Sequence, residues 1–141
     1  MNTRLTLRKQ EFLNPSTGKI LLVGDKPGPG IINEPEGYIP VPFNGYKHSS
    51  LWLNRLLDKH NIPEEKLTWI NAFYLEGQPS QKEEYYKRQP RAVIGLGIIA
   101  QNWLKNVGCK DFYCMDHPQF WKRFKSKQFY PLITLLENLT Y

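Results

Sequence analysis

Three short, continuous apolar runs constrain the fold of this chain more than any other feature. Residues 19–24, 67–73 and 91–97 are mostly apolar and do not alternate between polar and apolar side chains. Such runs are typical of strands buried on both faces, as in parallel sheets. The other predicted elements are helices at residues 49–60, 82–87, 98–107 and 120–139 and a short fourth strand at residues 112–115. This alternation predicts a three-layer α/β/α domain with a four-stranded, largely parallel central sheet.

The length of the chain, 141 residues, fits one domain. Residues 1–18 are polar and end in the sequence Asn-Pro-Ser-Thr-Gly, so we expect a turn-rich N-terminal lead-in. Residues 19–141 then form a single domain.

The charge and the cysteine content restrict the class of protein. The net charge of +6 favours an anionic partner, and nucleic acid is the commonest one. The only cysteines, Cys109 and Cys114, cannot make a four-ligand metal site and lack CxxC spacing, so we expect reduced thiols. The longest apolar stretch, residues 93–100, is far too short to span a bilayer, and no signal peptide is visible. We therefore expect a cytoplasmic, monomeric protein without a membrane partner.

The glycine-rich segment after the first predicted strand is the first of four candidate sites. In an open parallel sheet, ligands bind outside the carboxyl ends of the strands. Gly24 and the glycines after it permit close backbone approach, and Asp25 can act as a general base or orient a water molecule. The alternative is a tight turn in which Asp25 and Lys26 form a solvated pair. The segment is neither a Walker A loop nor a GxGxxG dinucleotide motif.

Two further candidates are an aromatic ring and an amide. Phe43 lies in a loop rich in Pro and Gly, where its ring can stack on a base or fold back onto the core. Asn71 ends an otherwise apolar strand, and its amide can read the edge of a pyrimidine or bond to loop backbone.

The fourth candidate is His117, which follows the fourth predicted strand. Its imidazole can donate to a developing oxyanion, although a His beside a Pro also serves structural roles. The next residues interleave aromatic and cationic side chains, which suits contact with phosphates and bases. The alternative is a solvated basic helix face with its aromatic rings in the core. The candidate nucleic-acid contacts are Lys26, Gln119, Lys122, Arg123 and Lys125.

In their order along the chain, these segments resemble the uracil-DNA glycosylase superfamily, especially the branch whose first motif is Gly-Glu-x-Pro-Gly. Residues 20–28 look like that motif and its strand, and residues 41–45, Val-Pro-Phe-Asn-Gly, look like the Pro-Phe-x-Gly loop. Residues 67–71 look like the strand that ends in the uracil-reading Asn. Residues 92–104 look like the strand and helix before the last motif, and the His-Pro pair at residues 117–118 looks like the start of that motif.

The resemblance implies a role for each candidate. Phe43 stacks on a flipped base, Asn71 bonds to the uracil edge, and His117 stabilises negative charge on the departing uracil at O2. Asp25 stands where the branch has a water-activating Glu, and Gly24 lies beside the base. The base is held between the loop at residues 24–28 and the His117 loop, and the residues after His117 contact DNA. The implied reaction is hydrolysis of an N-glycosidic bond in DNA, without a metal or redox cofactor.

The chain also departs from the family pattern. The branch carries four cysteines for an iron–sulfur cluster, and this chain has two, so we expect no cluster. Asp25 is one methylene shorter than Glu, and Lys26 beside it could hold it in an ion pair. Two alternative functions therefore stay open, an N-glycosidase that acts on free nucleotides and a catalytically silent nucleotide- or nucleic-acid-binding protein.

Overall fold

The computed structural model describes residues 3–15, 19–26, 41–43, 48–74 and 78–140. Within these ranges the chain is an α/β protein, as predicted, with a four-stranded sheet in which every pair of neighbouring strands is parallel. The strands are β1 (Ile20–Gly24), β2 (Leu67–Asn71), β3 (Ala92–Leu96) and β4 (Tyr113–Met115). The helices are α1 (Thr3–Leu13), α2 (His48–Lys59), α3 (Lys82–Arg88), α4 (Ile98–Asn106), α5 (Pro118–Lys125) and α6 (Pro131–Leu139).

The strand order places the first strand in the interior of the sheet. The order is β2-β1-β3-β4, so the chain moves outward from β1 on one side and then returns to continue on the other. Gly24 at the end of β1 pairs in register with Asn71 at the end of β2. All four strands point the same way, so their carboxyl ends form one edge of the sheet.

Each face of the sheet carries its own hydrophobic core. Alternate β1 residues point to opposite faces, as the pleat requires. Ile20 and Leu22 belong to one core with buried residues of α2, α5 and α6. Leu21 and Val23 belong to the other with buried residues of α4. Helices therefore cover both faces, which is consistent with three layers and explains why β1 has no polar alternation.

Helix α1 is the main departure from the sequence-based expectation. Most of the segment predicted to be a turn-rich lead-in forms the helix Thr3–Leu13, which packs against β2. Its Phe12 contacts the cores on both faces of the sheet, so α1 covers the edge that β2 would otherwise expose. At its C-terminal end, the carbonyl of Phe12 accepts a hydrogen bond from Arg88 Nη2 at 3.2 Å.

The C-terminal segment contains two helices rather than the single helical run predicted. Helix α5 ends at Lys125, and α6 begins at Pro131, which occupies the first helical turn where its missing N–H costs nothing. Tyr130 precedes α6, and its ring stacks on Trp121 of α5 at 5.2 Å between centroids. The two helices are thus joined through a buried aromatic contact.

Candidate functional site

The strand order predicts a ligand crevice at the carboxyl edge of the sheet, beside β1. The connections after β1 lead first to one side of the sheet and then to the other, so the topological switch point lies between β1 and β3. In open α/β sheets, ligands bind at such a point, outside the carboxyl ends of the strands. The predicted residues Gly24, Asp25, Asn71 and His117 all end or follow strands at this edge.

Gly24 is required by the close approach of two neighbours. A Cβ atom built on it would lie 2.9 Å from Asn71 Oδ1 and 3.1 Å from Pro42 Cβ. The backbone also joins the two strand ends, because the Ala72 N–H donates to the Gly24 carbonyl at 2.9 Å. Asn71 is buried, and its carbonyl accepts a hydrogen bond from the Ser80 hydroxyl. The amide of Asn71 therefore lies deep at this edge, directly beside Gly24.

Phe43 is held in a backbone conformation that a side chain rarely adopts. Its φ of 55° is in the left-handed region, which is unfavourable for a residue with a Cβ. Its carbonyl accepts hydrogen bonds from Arg8 Nη1 and Asn54 Nδ2, both at 2.9 Å. Two buried donors therefore hold the strained backbone in place.

The Phe43 ring folds back onto the core, which is one of the two alternatives that the sequence left open. It is half-buried and packs edge-on against Trp69, with 5.9 Å between the ring centroids. It also lies 5.5 Å from the His117 ring, at an interplanar angle of 50°. The ring is thus anchored on the core and reaches the carboxyl edge, where it meets the imidazole.

His117 caps the N-terminus of α5, and this fixes its tautomer. Its Nδ1 accepts a hydrogen bond from the backbone N–H of Gln119 at 3.0 Å. A ring nitrogen that accepts carries no proton, so the proton of the neutral imidazole is on Nε2. Burial lowers the pKa of His117 below its ordinary value, and the nearby charge of Asp25 opposes the shift. The site therefore presents an Nε2–H donor from a neutral imidazole.

Gly97 leaves space for the His117 side chain. It has a φ of 94°, and a Cβ built on it would lie 3.1 Å from His117 Cβ. Its N–H donates to the Met115 carbonyl at 2.8 Å, which ties the end of β3 to the end of β4 just before His117. Gly97 was not among the predicted site residues, although its place directly after an apolar strand was a visible signal.

Asp25 is half-buried, and its main chain is fixed by the N–H of Phe73, which donates to the Asp25 carbonyl at 2.9 Å. Lys26 is exposed. The ion pairs of the described residues include none between Asp25 and Lys26, so the pairing considered from the sequence does not form. The carboxylate acts instead through its charge on His117.

The predicted nucleic-acid contacts lie mainly along α5. Gln119, Lys122 and Arg123 are exposed, and Lys125 is half-buried with its Nζ 4.9 Å from the centroid of the Trp121 ring. Trp121 itself is buried in the core. The helix therefore has the solvated basic face, but only one of its three aromatic rings, Trp121, lies in the core, and Phe120 and Phe124 are exposed.

A buried charged network behind Phe43 went unpredicted. Arg8 is fully buried and donates to both carboxylate oxygens of Glu64, to Asn54 Oδ1, and to the carbonyls of Pro42 and Phe43. Arg4 Nη1 also donates to Glu64, at 2.8 Å. The two arginines are one helical turn apart, but their partners lie 34 to 60 residues away in the chain. Only the i, i+4 spacing of the arginines was a local signal.

A cleft of about 430 Å³ opens beside the site, on the β4 side of His117. Its lining includes Gly97, Gln101, Asp116 and Tyr130. It differs from the pocket expected between the loop at residues 24–28 and His117. Residues 27 and 28 of that loop, like residues 44 and 45 of the second motif, lie outside the described residues.

Comparison with known proteins identifies no family. No protein-family model matches the chain, and no curated protein matches it.

Among the helices of the described ranges, none has the length and apolar character needed to cross a membrane. The same ranges contain no cluster of three or more His, Cys, Asp or Glu side chains suited to a metal ion.

Proposed function

We propose that this protein is a DNA glycosylase that hydrolyses the N-glycosidic bond of uracil or a related modified pyrimidine. The observation that carries the proposal is the arrangement around His117. A neutral imidazole with its proton on Nε2 meets the Phe43 ring at the carboxyl edge and lies within the field of Asp25. These are a hydrogen-bond donor, an aromatic face and a carboxylate, the groups that such a hydrolysis uses.

In the proposed reaction, water attacks C1′ of the deoxyribose and the bond from C1′ to N1 of the base breaks. The bonding electrons leave with the base, so negative charge develops on the pyrimidine, including O2. The Nε2–H of His117 donates to that oxygen, and Asp25 accepts a proton from the attacking water. The base anion then takes a proton from solvent.

A neutral imidazole suits this role because burial already disfavours the charged form. Burial lowers the pKa of His117, so the donor needs no proton from solvent at neutral pH. Capping α5 fixes the ring orientation before substrate arrives. Donors fixed in this way stabilise developing charge without reorganisation during the reaction.

Phe43 and Asn71 are proposed to hold the base. The Phe43 ring offers a stacking surface, and the Asn71 amide can bond to both donor and acceptor positions of a pyrimidine edge. The buried position of Asn71 fits a role at the bottom of a base pocket. The nucleotide must leave the stack to reach these groups, since no side chain reaches the glycosidic bond inside a duplex.

The first test measures base release from uracil-containing oligonucleotides, single- and double-stranded, by the wild type and by single variants. We expect release by the wild type, and a loss of about 10²- to 10³-fold in His117→Asn, as for removal of one oxyanion donor. Asn is a good N-cap residue, so this variant keeps the cap of α5 while removing the Nε2–H. Asp25→Asn should lose about 10²- to 10⁴-fold, as for removal of a general base.

Matched controls use residues of the same type away from the edge. His60→Asn and Asp111→Asn should release base at the wild-type rate, because His60 packs on Phe129 and Asp111 is exposed before β4. Asn71→Asp should alter uracil release, and unchanged activity in it would contradict the base-reading role. No release by a well-folded wild type would remove the uracil enzyme and leave modified pyrimidines, free nucleotides and pure binding to be tested in that order.

A further inference from the structure

The exposed phenylalanines of this protein lie close together in the sequence, and two of them are in contact. All seven phenylalanines lie within the described residues, and four of them are at least half-buried. The other three, Phe120, Phe124 and Phe129, are 42%, 65% and 56% exposed and lie within or just after α5. Phe129 packs against His60, whereas Phe120 and Phe124 contact each other, and contiguous exposed rings mark an interaction surface more often than scattered single residues do.

Two of these rings form a stripe along α5. Phe120 and Phe124 are one helical turn apart, with 5.2 Å between their centroids and a tilted arrangement. The opposite side of the helix is fixed, because Pro118 and Trp121 are buried in the core. The stripe is therefore presented to solvent by a helix that is anchored from behind.

Cations flank this stripe, and acidic residues are absent from the segment. Residues 118–129 contain Lys122, Arg123, Lys125 and Lys127 and no Asp or Glu. The Arg123 guanidinium lies 5.5 Å from the Phe124 ring centroid, and Lys125 Nζ lies 5.8 Å from that of Phe120. None of the four cations forms an ion pair in the described part of the chain. Their charges are thus available to an anionic partner.

We infer that this face of α5 binds single-stranded nucleic acid, with bases stacked on Phe120 and Phe124 and phosphates on the flanking cations. Alternating aromatic and cationic groups suit a strand whose bases and phosphates are both accessible. In a duplex the flat faces of the bases are covered by their neighbours, and only the phosphates could use this surface. The inference rests on the proposed function in one respect: His117 caps the N-terminus of α5, so a strand bound along this helix leads to the site.

The charge and the anchoring of α5 favour a nucleic acid over an anionic membrane. A helix that binds a membrane surface inserts a broad apolar face into the lipid. Here the apolar side of α5 is buried in the core, and the exposed stripe consists of only two rings with a cation beside each.

The test is fluorescence anisotropy with a labelled oligothymidylate and with a blunt duplex of the same length, both free of uracil. We expect tighter binding of the single strand. Phe120→Ala and Phe124→Ala should each weaken that binding about 5- to 100-fold and leave duplex binding unchanged. Phe124→Tyr should keep it, because the aromatic face remains. Both rings are exposed, so circular dichroism should show an unchanged fold.

Controls separate position from chemistry. Tyr86→Ala removes an exposed aromatic residue of α3, whose hydroxyl donates to the Val107 carbonyl after α4, and should leave binding unchanged. Lys122→Glu should reduce the salt dependence of single-strand binding by about 0.7 in log–log slope, whereas Lys105→Glu, in the last turn of α4, should not.

Equal affinity for single strand and duplex, or no loss in the Phe variants, would overturn the inference. Preferential binding to vesicles of anionic phospholipid, lost in the same variants, would overturn it in favour of a membrane. The proposed function fails separately. If the wild type binds oligothymidylate but releases no uracil, the proposed surface stands and the glycosylase activity is excluded. If the wild type releases uracil, and neither Phe variant changes base release or single-strand binding, the glycosylase activity stands and the proposed surface is excluded.

Discussion

Replacement of Arg8 by Ala tests whether the N-terminal helix is part of the site. The change removes five hydrogen bonds, two to Glu64, one to Asn54 and one each to the carbonyls of Pro42 and Phe43, and all but the last are buried. Removing one partner of a buried ion pair typically costs about 3–5 kcal/mol, because the other charge stays buried. Here Glu64 keeps Arg4 and Trp69 Nε1 as donors, at 2.8 Å and 2.7 Å, so we expect the lower part of that range, about 3 kcal/mol.

The loss is large relative to the stability of a domain of this size. The free energy of unfolding of a single domain is about 5–15 kcal/mol, so Arg8→Ala should remove a substantial fraction of it. Urea unfolding followed by tryptophan fluorescence measures it, because the Arg8 guanidinium lies 4.0 Å from the centre of the Trp69 ring. Arg55→Ala is the matched control, since Arg55 is exposed on α2, and should change the free energy of unfolding by less than about 0.5 kcal/mol.

A double-mutant cycle separates the pair from its surroundings. Arg8→Ala with Glu64→Ala should cost less than the sum of the single changes by about 1–3 kcal/mol, as for residues in one network. Arg8→Lys keeps the charge but lacks the planar fork that reaches a carboxylate, an amide and two carbonyls together, so it should recover only part of the loss. An Arg8→Ala variant within 1 kcal/mol of the wild type would refute the network as a stabilising element, as would strict additivity with Glu64→Ala.

The remaining predictions concern glycines and a histidine at the carboxyl edge. Gly97→Ala should lower the free energy of unfolding, measured in urea, more than Gly108→Ala does. The two glycines have similar φ values, 94° and 88°, but a Cβ on Gly97 would lie 3.1 Å from His117 Cβ, whereas the atom nearest to a Cβ on Gly108 would be 3.8 Å away. Gly24→Ala should cost about 1–3 kcal/mol by overpacking against Asn71 and should reduce base release, and a variant with wild-type stability would show that the edge is looser than described. The pKa of His117 is lower in the folded than in the unfolded chain, so the unfolded chain binds more protons. The contribution of His117 to the free energy of unfolding is therefore present above its unfolded pKa of about 6.5 and is lost as pH falls below that value. Melting temperatures from about pH 5 to 8 should therefore fall less toward acid in His117→Asn than in the wild type, and parallel curves would contradict the assignment.

The strands were predictable because their signal is local. A strand covered on both faces must be apolar along its length, and β1, β2 and β3 carry that pattern in five consecutive buried or half-buried residues each. Parallel pairing then places the ends of all strands at one edge, so Gly24 and Asn71 could be expected to be neighbours. The close approach of Pro42 to Gly24 could not be expected, because Pro42 lies 18 residues further along the chain.

Helix α1 was not predictable for the opposite reason. Its stability comes from partners distant in the sequence, since Arg4 and Arg8 bond to Glu64 and Arg8 also bonds to the loop at Pro42. In isolation the segment is polar, and a helix of 11 residues is marginal in water. A buried arginine has the same sequence signature as an exposed one, so no pattern distinguishes the two.

The strained backbone of Phe43 depends on helix α1. A non-glycine residue at a φ of 55° persists only where its surroundings determine the conformation, and here Arg8 and Asn54 supply the two donors that do so. Trp69 supports both sides of the arrangement, because Arg8 covers the face of its ring while Phe43 packs against it edge-on. The ring that meets His117 is thus positioned from α1 through a buried charge and a tryptophan. A loss of α1 should therefore displace the Phe43 ring and reduce base release more than its contribution to stability alone explains.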